Sequence, residues 1–414
     1  MKKGFKFHWA YMVFLATALM NAYYACSYSQ VSQFMAPVLE KYPDISRTAF
    51  SLVFSIHALS SAVYLTFFGK VNKLIGSENV PIIGGLGLVC GFLIYSTAQN
   101  IVVFYIGAFL TGLCAAFFSS AITITLFNKW FAKGQATLLA VSMTIGALVG
   151  TLGSRWVGGL ISGNGYVSAL RTIAIGMLIV TVVVRALLRL DPAKLGIKPC
   201  WSDEKAAEAV KDTKAAAEVE GVTMKEAMKT YNFYAIMGVF LLFGLCFYAT
   251  YQNLNVYMRD LGFDTTLIGT IFGLVFLINA ITMIPGGLVA DFLGCRLTML
   301  VLIVIFIAAL AIMAFTVPTS GLMIAVCVMM GLAFMFPKVL SGAMVLSAFG
   351  KKDSASFVGV IQSMICIGAF IGSPILNFVY DKTGSYSGAF IAMMVLMVIC
   401  AVLGFTGIKK VQAK

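Results

Sequence analysis

One residue stands out for the chemistry it could do. Gly331-Leu332-Ala333-Phe334-Met335-Phe336-Pro337-Lys338-Val339-Leu340-Ser341-Gly342 is an apolar run that carries a single charge, and no other charged residue lies between Met323 and Phe349. A lysine at that depth in a lipid-spanning segment costs roughly 2.5–3.5 kcal/mol, so it is expected to face a bundle interior or a water-filled path. Two readings are open for Lys338. It offers a cationic seat for an anionic small molecule, or it pairs with backbone carbonyls that Pro337 leaves without a donor.

The acidic residues sharpen the first reading. All sixteen fall at the ends of apolar segments or in the central polar stretch, and none lies within a segment. The apolar interior therefore holds two cationic groups, Lys338 and Arg155, and no carboxylate. An organic-cation path would want acidic residues there, because opposite charge offsets the desolvation of the substrate. A carboxylate entering beside Lys338 would reduce the burial cost of both groups. Arg155 lies nearer the end of its segment. It is either a substrate or gate residue, or an arginine that snorkels to the interface.

Polar residues at helical spacing mark two further faces. Asn21, Tyr24, Tyr28 and Ser32 recur every three or four residues in the first apolar segment, and Tyr248, Gln252 and Asn255 do so in the seventh. Such stripes must face protein or water. They are expected to line a cavity, with interhelical hydrogen bonding as the alternative. Ser119, the repeat partner of Lys338, joins the candidates. His57 could carry a coupling proton or be structural. The two histidines and nine scattered cysteines form no metal-ligand spacing, so no metal and no cofactor are expected.

These residues need a frame. The 414 residues are 60% hydrophobic and 11% charged, beyond what a soluble globular chain uses. Twelve apolar segments reach spanning length, from 9–39 to 386–408. The basic start, Met1-Lys2-Lys3-Gly4-Phe5-Lys6, reads as a cytoplasmic anchor and not as a cleaved leader. With that end inside, 22 Lys and Arg fall on the cytoplasmic side and 5 on the outer side. The positive-inside rule then expects both termini in the cytoplasm of a multi-pass protein of the inner membrane. The net charge of +13 is accounted for by that bias, and no nucleic-acid partner is implied.

The only long polar stretch splits the chain into 1–190, a cytoplasmic connector 191–231, and 232–414. The halves repeat. Tyr28 to Met35 matches Tyr251 to Met258, Gly69 and Gly76 match Gly287 and Gly294, and Gly153-Ser154-Arg155 matches Gly372-Ser373-Pro374. The expected fold is an all-α membrane protein, with twelve transmembrane helices in two six-helix pseudo-symmetric bundles.

That organisation resembles the major facilitator superfamily. Gly287-Leu288-Val289-Ala290-Asp291-Phe292-Leu293-Gly294-Cys295-Arg296 is similar to the family's signature after the second span of each half, with Phe292 in place of a basic residue. The first copy, Gly69 to Gly76, puts Lys73 where the Asp belongs. The resemblance implies that Gly287, Asp291, Gly294, Arg296, Gly69 and Gly76 act in gating. Asn128-Lys129-Trp130-Phe131 and Phe336-Pro337 resemble the oxalate/formate antiporter and monocarboxylate transporter branch. The basic residues of the oxalate transporters, in spans eight and eleven, are missing here. The expected activity is secondary transport of mono- or dicarboxylates by alternating access, as symport with a proton or antiport against another anion. The partners would be a small organic anion and the lipid bilayer, and the chain a monomer that is not an enzyme. The alternative is a major facilitator exporter of amphiphilic drugs or other solutes. No G-x-x-x-x-G-K-[ST] loop occurs, which disfavours an ATP-driven pump.

Overall fold

The structure is a computed structural model. It describes residues 8–118, 120–131, 135–188, 199–200, 221–350 and 353–407; within these, the side chains at 28–29, 65–70, 73, 116, 120–121, 136, 140, 284, 287, 290–291, 346 and 354–356 lie outside the description.

Twelve crossings follow one another in chain order. The first is α1 (Ala10–Cys26), extended by a 3-10 stretch, Tyr28–Phe34, and by Met35–Lys41. Then come α2 (Arg47–Ile75) and α3 (Val80–Thr97). The fourth, α4, comprises Ile101–Ala115, a 3-10 turn and Ser120–Trp130. Gln135–Leu187 is one helical stretch that Gly165, at φ 75°, divides into α5 (135–164) and α6 (166–187). The second half holds α7 (Tyr231–Asp260), α8 (Thr265–Leu293) and α9 (Cys295–Phe315). It ends with α10 (Ser320–Ala333, a π-helical turn Phe336–Leu340, then Ser341–Phe349), α11 (Ser354–Thr383) and α12 (Ser387–Gly407).

Eight of the described helices are long and apolar enough to cross a membrane, and the stretch through α5 and α6 is long enough to do so twice. The lipid-facing surface carries large apolar side chains such as Leu152, Ile179, Val304 and Val398. Two clusters of buried residues form the cores. One draws on Ala10 to Cys200 with Val256 added, and the other on Val222 to Cys400.

Sequence repeats reappear as structural ones. Gly76 and Gly294 end α2 and α8 at φ 86° and φ 79°, a backbone region open to glycine and costly for other residues. That explains the second glycine of each signature copy. Within the first half, the Gln33 amide donates to the Ser154 hydroxyl at 3.0 Å, joining the first crossing to α5. Within the second, Asn253 donates to the Ser373 hydroxyl at 2.8 Å, joining α7 to α11. Ser154 and Ser373 are repeat partners. The glycine before each lets the helices approach closely: a Cβ at Gly372 would sit 2.2 Å from the Leu245 carbonyl oxygen.

The polar connector meets the bundle at two repeat-related points. The Cys200 N–H donates to the Trp130 carbonyl at 2.8 Å, and the Val222 N–H to the Phe349 carbonyl at 3.0 Å. This end of the molecule is called the connector face. The opposite end, where α2 begins, is the Arg47 face.

Candidate functional site

A cavity of about 400 Å³ lies between the two halves. Tyr24, Phe54, His57 and Ser61 line it from the first half, and Tyr248, Tyr251, Gln252, Phe334, Lys338 and Gln362 from the second. Lys338 is the one charged side chain in this wall among the described residues.

The π-helical turn Phe336–Leu340 sets the lysine. Pro337 removes a backbone donor, and the helix widens there by one residue per turn, a feature that often marks functional sites. The Pro337 carbonyl is met by the Ser341 hydroxyl at 2.9 Å and the Gln362 amide at 3.5 Å. Lys338 itself turns to a side chain. Its Nζ donates to Asn279 Oδ1 on α8 at 2.9 Å and lies 5.0 Å from the centre of the Phe334 ring. Deep in the bundle, the Lys338 side chain is still exposed to the cavity. A neutral amide and a ring face stabilise an ammonium without neutralising it. Asn279 is buried at 3% exposure, and its Nδ2 has no hydrogen-bond partner. The cation is thus held by an amide that carries no charge of its own.

The predicted site residues divide. Tyr24, Tyr248 and Gln252 line the cavity. Asn21 and Asn255 do not: Asn21 donates to Ser142 on α5 at 2.8 Å, and Asn255 to Ser32 across the halves at 2.7 Å. Both are interhelical hydrogen bonds, the alternative their stripes left open. Arg155 is exposed beside Leu152 and Trp156 and is absent from the cavity wall. Ser119 and the Tyr28 side chain lie outside the described residues. His57 lines the cavity, with Nδ1 3.3 Å from the Thr111 hydroxyl of α4.

Of the gating residues, the side chains at Gly69, Gly287 and Asp291 lie outside the description. Gly76 and Gly294 end their helices as above, and Arg296 lies over the Phe405 ring at 5.9 Å. Sequence reasoning missed Asn279, Tyr251, Phe334 and Gln362. Asn279 was the findable one, since it is the single amide in an otherwise apolar stretch of α8.

The Arg47 face is tied shut across the halves. Arg47 bonds Asp260 through both terminal guanidinium nitrogens, one at 2.7 Å, stacks on Tyr380 at 4.0 Å, and donates to the Tyr386 hydroxyl at 2.9 Å. The Thr48 hydroxyl donates to Asp381, and Arg259 pairs with Glu40 at 3.0 Å. Below this layer α5 and α8 pack closely: a Cβ at Gly269 would sit 2.6 Å from the Ser154 carbonyl oxygen.

Twelve helices in two repeated halves, closed over a central cavity at one face, define a membrane transporter. The family model of the Major Facilitator Superfamily matches residues 9–338 and 257–413, and the chain belongs to that superfamily. Among solved structures it is similar to a point mutant of the nucleoside transporter NupG, at 14% identity over 97% of this chain and 100% of that one, with a TM-score of 0.73. A second structure of the nucleoside transporter NupG gives 13% identity, 98% and 100% coverage, and 0.68. A bacterial homolog of the human lysosomal transporter Spinster, in an inward-facing and unoccupied conformation, gives 12% identity over 97% and 98%, and 0.72. At these identities the likeness is one of fold. No curated protein matches the chain.

Proposed function

We propose that this protein is a secondary transporter of small organic anions that works by alternating access. The observation that carries the reading is Lys338, exposed to the central cavity with the neutral Asn279 amide as its hydrogen-bond partner and no aspartate or glutamate in the described wall. A carboxylate brought to about 4 Å would gain on the order of 4 kcal/mol at an effective dielectric of 20, enough to offset the intrinsic cost of the lysine. Proton symport and anion exchange both suit the site, with His57 as the titratable ring in its wall.

The positive-inside count supports an outward Arg47 face and a cytoplasmic connector, with both termini in the cytoplasm of an inner-membrane protein. The ties on the Arg47 face then belong to an inward-facing state, the conformation named for the Spinster homolog. The branch resemblance in Asn128-Lys129-Trp130-Phe131 and the lysine together favour carboxylates.

Uptake of labelled mono- and dicarboxylates into proteoliposomes tests the reading. Lys338→Ala should abolish uptake, and Lys338→Arg should retain part of it. Normal uptake by Lys338→Ala would instead support export of amphiphilic solutes, with the aromatic wall as the binding surface.

A further inference from the structure

The cavity wall is graded along the bundle axis. Lys338 and Gln362 lie toward the connector face, and the buried Asn279 holds Lys338 Nζ there. Four rings make the middle. Phe334 meets Tyr251 at 5.2 Å and 83°, and Tyr248 at 6.4 Å and 88°. Tyr251 meets Phe276 at 6.4 Å and 70°. These edge-to-face pairs form a box whose members all line the cavity. Gln252 lies at the Arg47 end, one residue beyond Tyr251, and its side-chain carbonyl oxygen is buried just behind the wall without a hydrogen-bond partner.

By helix rise, Lys338 lies roughly 17 Å from the Phe349 end of α10, and Gln252 about 12 Å from the Asp260 end of α7. Helix α7 is about 45 Å long, so the two levels differ by about 15 Å. Side chains lean toward the N-terminus of their own helix, and α7 and α10 run in opposite directions. The two polar ends therefore reach toward each other across the rings. The space between them suits a phenyl ring with a short acid arm. At about 30 Å³ per water, the 400 Å³ cavity has room for more than ten waters. A two-carbon acid would leave most of that room wet.

We infer that the substrate is an aryl monocarboxylate with a hydrogen-bond donor at the end remote from its acid group. This rests on the anion reading of Lys338. The carboxylate bonds Lys338 Nζ, which Asn279 Oδ1 holds in place. The ring lies in the box of Phe334, Tyr248, Tyr251 and Phe276. The Gln252 side chain turns its unpaired carbonyl oxygen into the cavity, and the remote hydroxyl donates to it. One cation in the wall matches one carboxylate, and a second carboxylate would fall among rings.

Binding to the purified full chain in detergent tests this, read by the shift in melting temperature and by competition. The probes are para-hydroxyphenylpropionate, phenylpropionate, cyclohexylpropionate, propionate and succinate. The hydroxyaryl acid should bind at least tenfold more tightly than propionate or succinate, and more tightly than cyclohexylpropionate. Gln252→Leu should bring hydroxyphenylpropionate down to the level of phenylpropionate, and Lys338→Ala should remove binding of all five. An unliganded melting temperature near that of the parent shows that each variant is folded, and Gln252→Asn provides a milder second variant. Propionate or succinate binding as tightly as the aryl acids overturns the aryl assignment and leaves the anion reading standing. An unchanged hydroxyl preference in both Gln252 variants removes Gln252 from the site and overturns the remote-donor assignment. Equal binding of aryl acids by the parent and Lys338→Ala overturns the anion reading, and no binding of any probe overturns both.

Discussion

Arg47 of the first half and Asp260 of the second are joined by two guanidinium–carboxylate bonds, beneath which the Arg47 plane stacks on Tyr380. The pair is partly exposed, at 20% and 29% of the two side chains. An exposed ion pair contributes roughly 0.2–1 kcal/mol. Such a pair is weak for stability and well suited to a gate, because a conformational equilibrium of this size must be reversible. Asp260→Asn should shift the population toward an open Arg47 face by a factor of about 1.4–5. Electron–electron distance measurements between spin labels at Ser46 and Thr383, both exposed at that face, should gain a longer component. An unchanged distance distribution would remove this pair from the gate.

The same chemical change should act differently on the two kinds of glycine contact. Gly269 on α8 touches the Ser154 backbone across the halves, whereas Gly372 on α11 touches the Leu245 backbone within one half. Adding a methyl group to a close backbone contact costs about 1–3 kcal/mol. For Gly269→Ala that cost falls on the closed state alone, so the Ser46–Thr383 distance should lengthen with little loss of melting temperature. For Gly372→Ala it falls on every state that keeps the second half folded, so the melting temperature should drop by several degrees. Equal melting losses in both variants would mean that the α5–α8 contact persists throughout the cycle.

The depth of Lys338, the repeat of the halves and the twelve crossings are all legible in the sequence, because each rests on a signal that lipid enforces: charge is costly and polar backbone must be satisfied internally. The partners of the stripe residues are not. Asn21 and Tyr24 lie three positions apart on one helix, yet Asn21 reaches Ser142 and Tyr24 reaches the cavity. Which of them faces a neighbour is decided by the tilt and rotation of α5, which no local pattern encodes. Arg155 shows the same limit. Its spacing in Gly150 to Gly159 marks a packed face, while its own side chain emerges beside Leu152 and Trp156.

Asp264 gives a pH signature separate from transport. It caps α8, accepting the Thr266 N–H at 2.9 Å, and that bond holds its carboxyl below the usual carboxylate range. A carboxyl depressed in the folded state adds stability above its unfolded pKa, roughly 3.9, and loses it as pH falls through the folded value. Asp264→Ala should therefore melt below the parent at neutral pH, and the gap should close under acid conditions. A gap that persists at low pH would show that the cap acts without its charge.

Lys338 and Asn279 allow the anion reading to be tested by supplying the anion from the protein. Asn279→Asp preserves the shape of the side chain and places a carboxylate within hydrogen-bond distance of Nζ, where Asn279 Oδ1 now sits at 2.9 Å. The internal carboxylate would satisfy the lysine more fully than an amide does, since charge-assisted bonds are about twice as strong as neutral ones. It would also neutralise the charge that a substrate carboxylate needs. Carboxylate binding should fall by tenfold or more while the melting temperature holds or rises. Lys338→Met should likewise raise the melting temperature by removing a charge that costs roughly 2.5–3.5 kcal/mol, and should abolish binding. Asn279→Asp and Lys338→Met would then agree in function while one keeps the cation and the other deletes it. That agreement is expected only if an uncompensated positive charge, and not the bulk or length of the lysine, is what the substrate recognises. Full carboxylate transport by Asn279→Asp would show that the anion binds elsewhere.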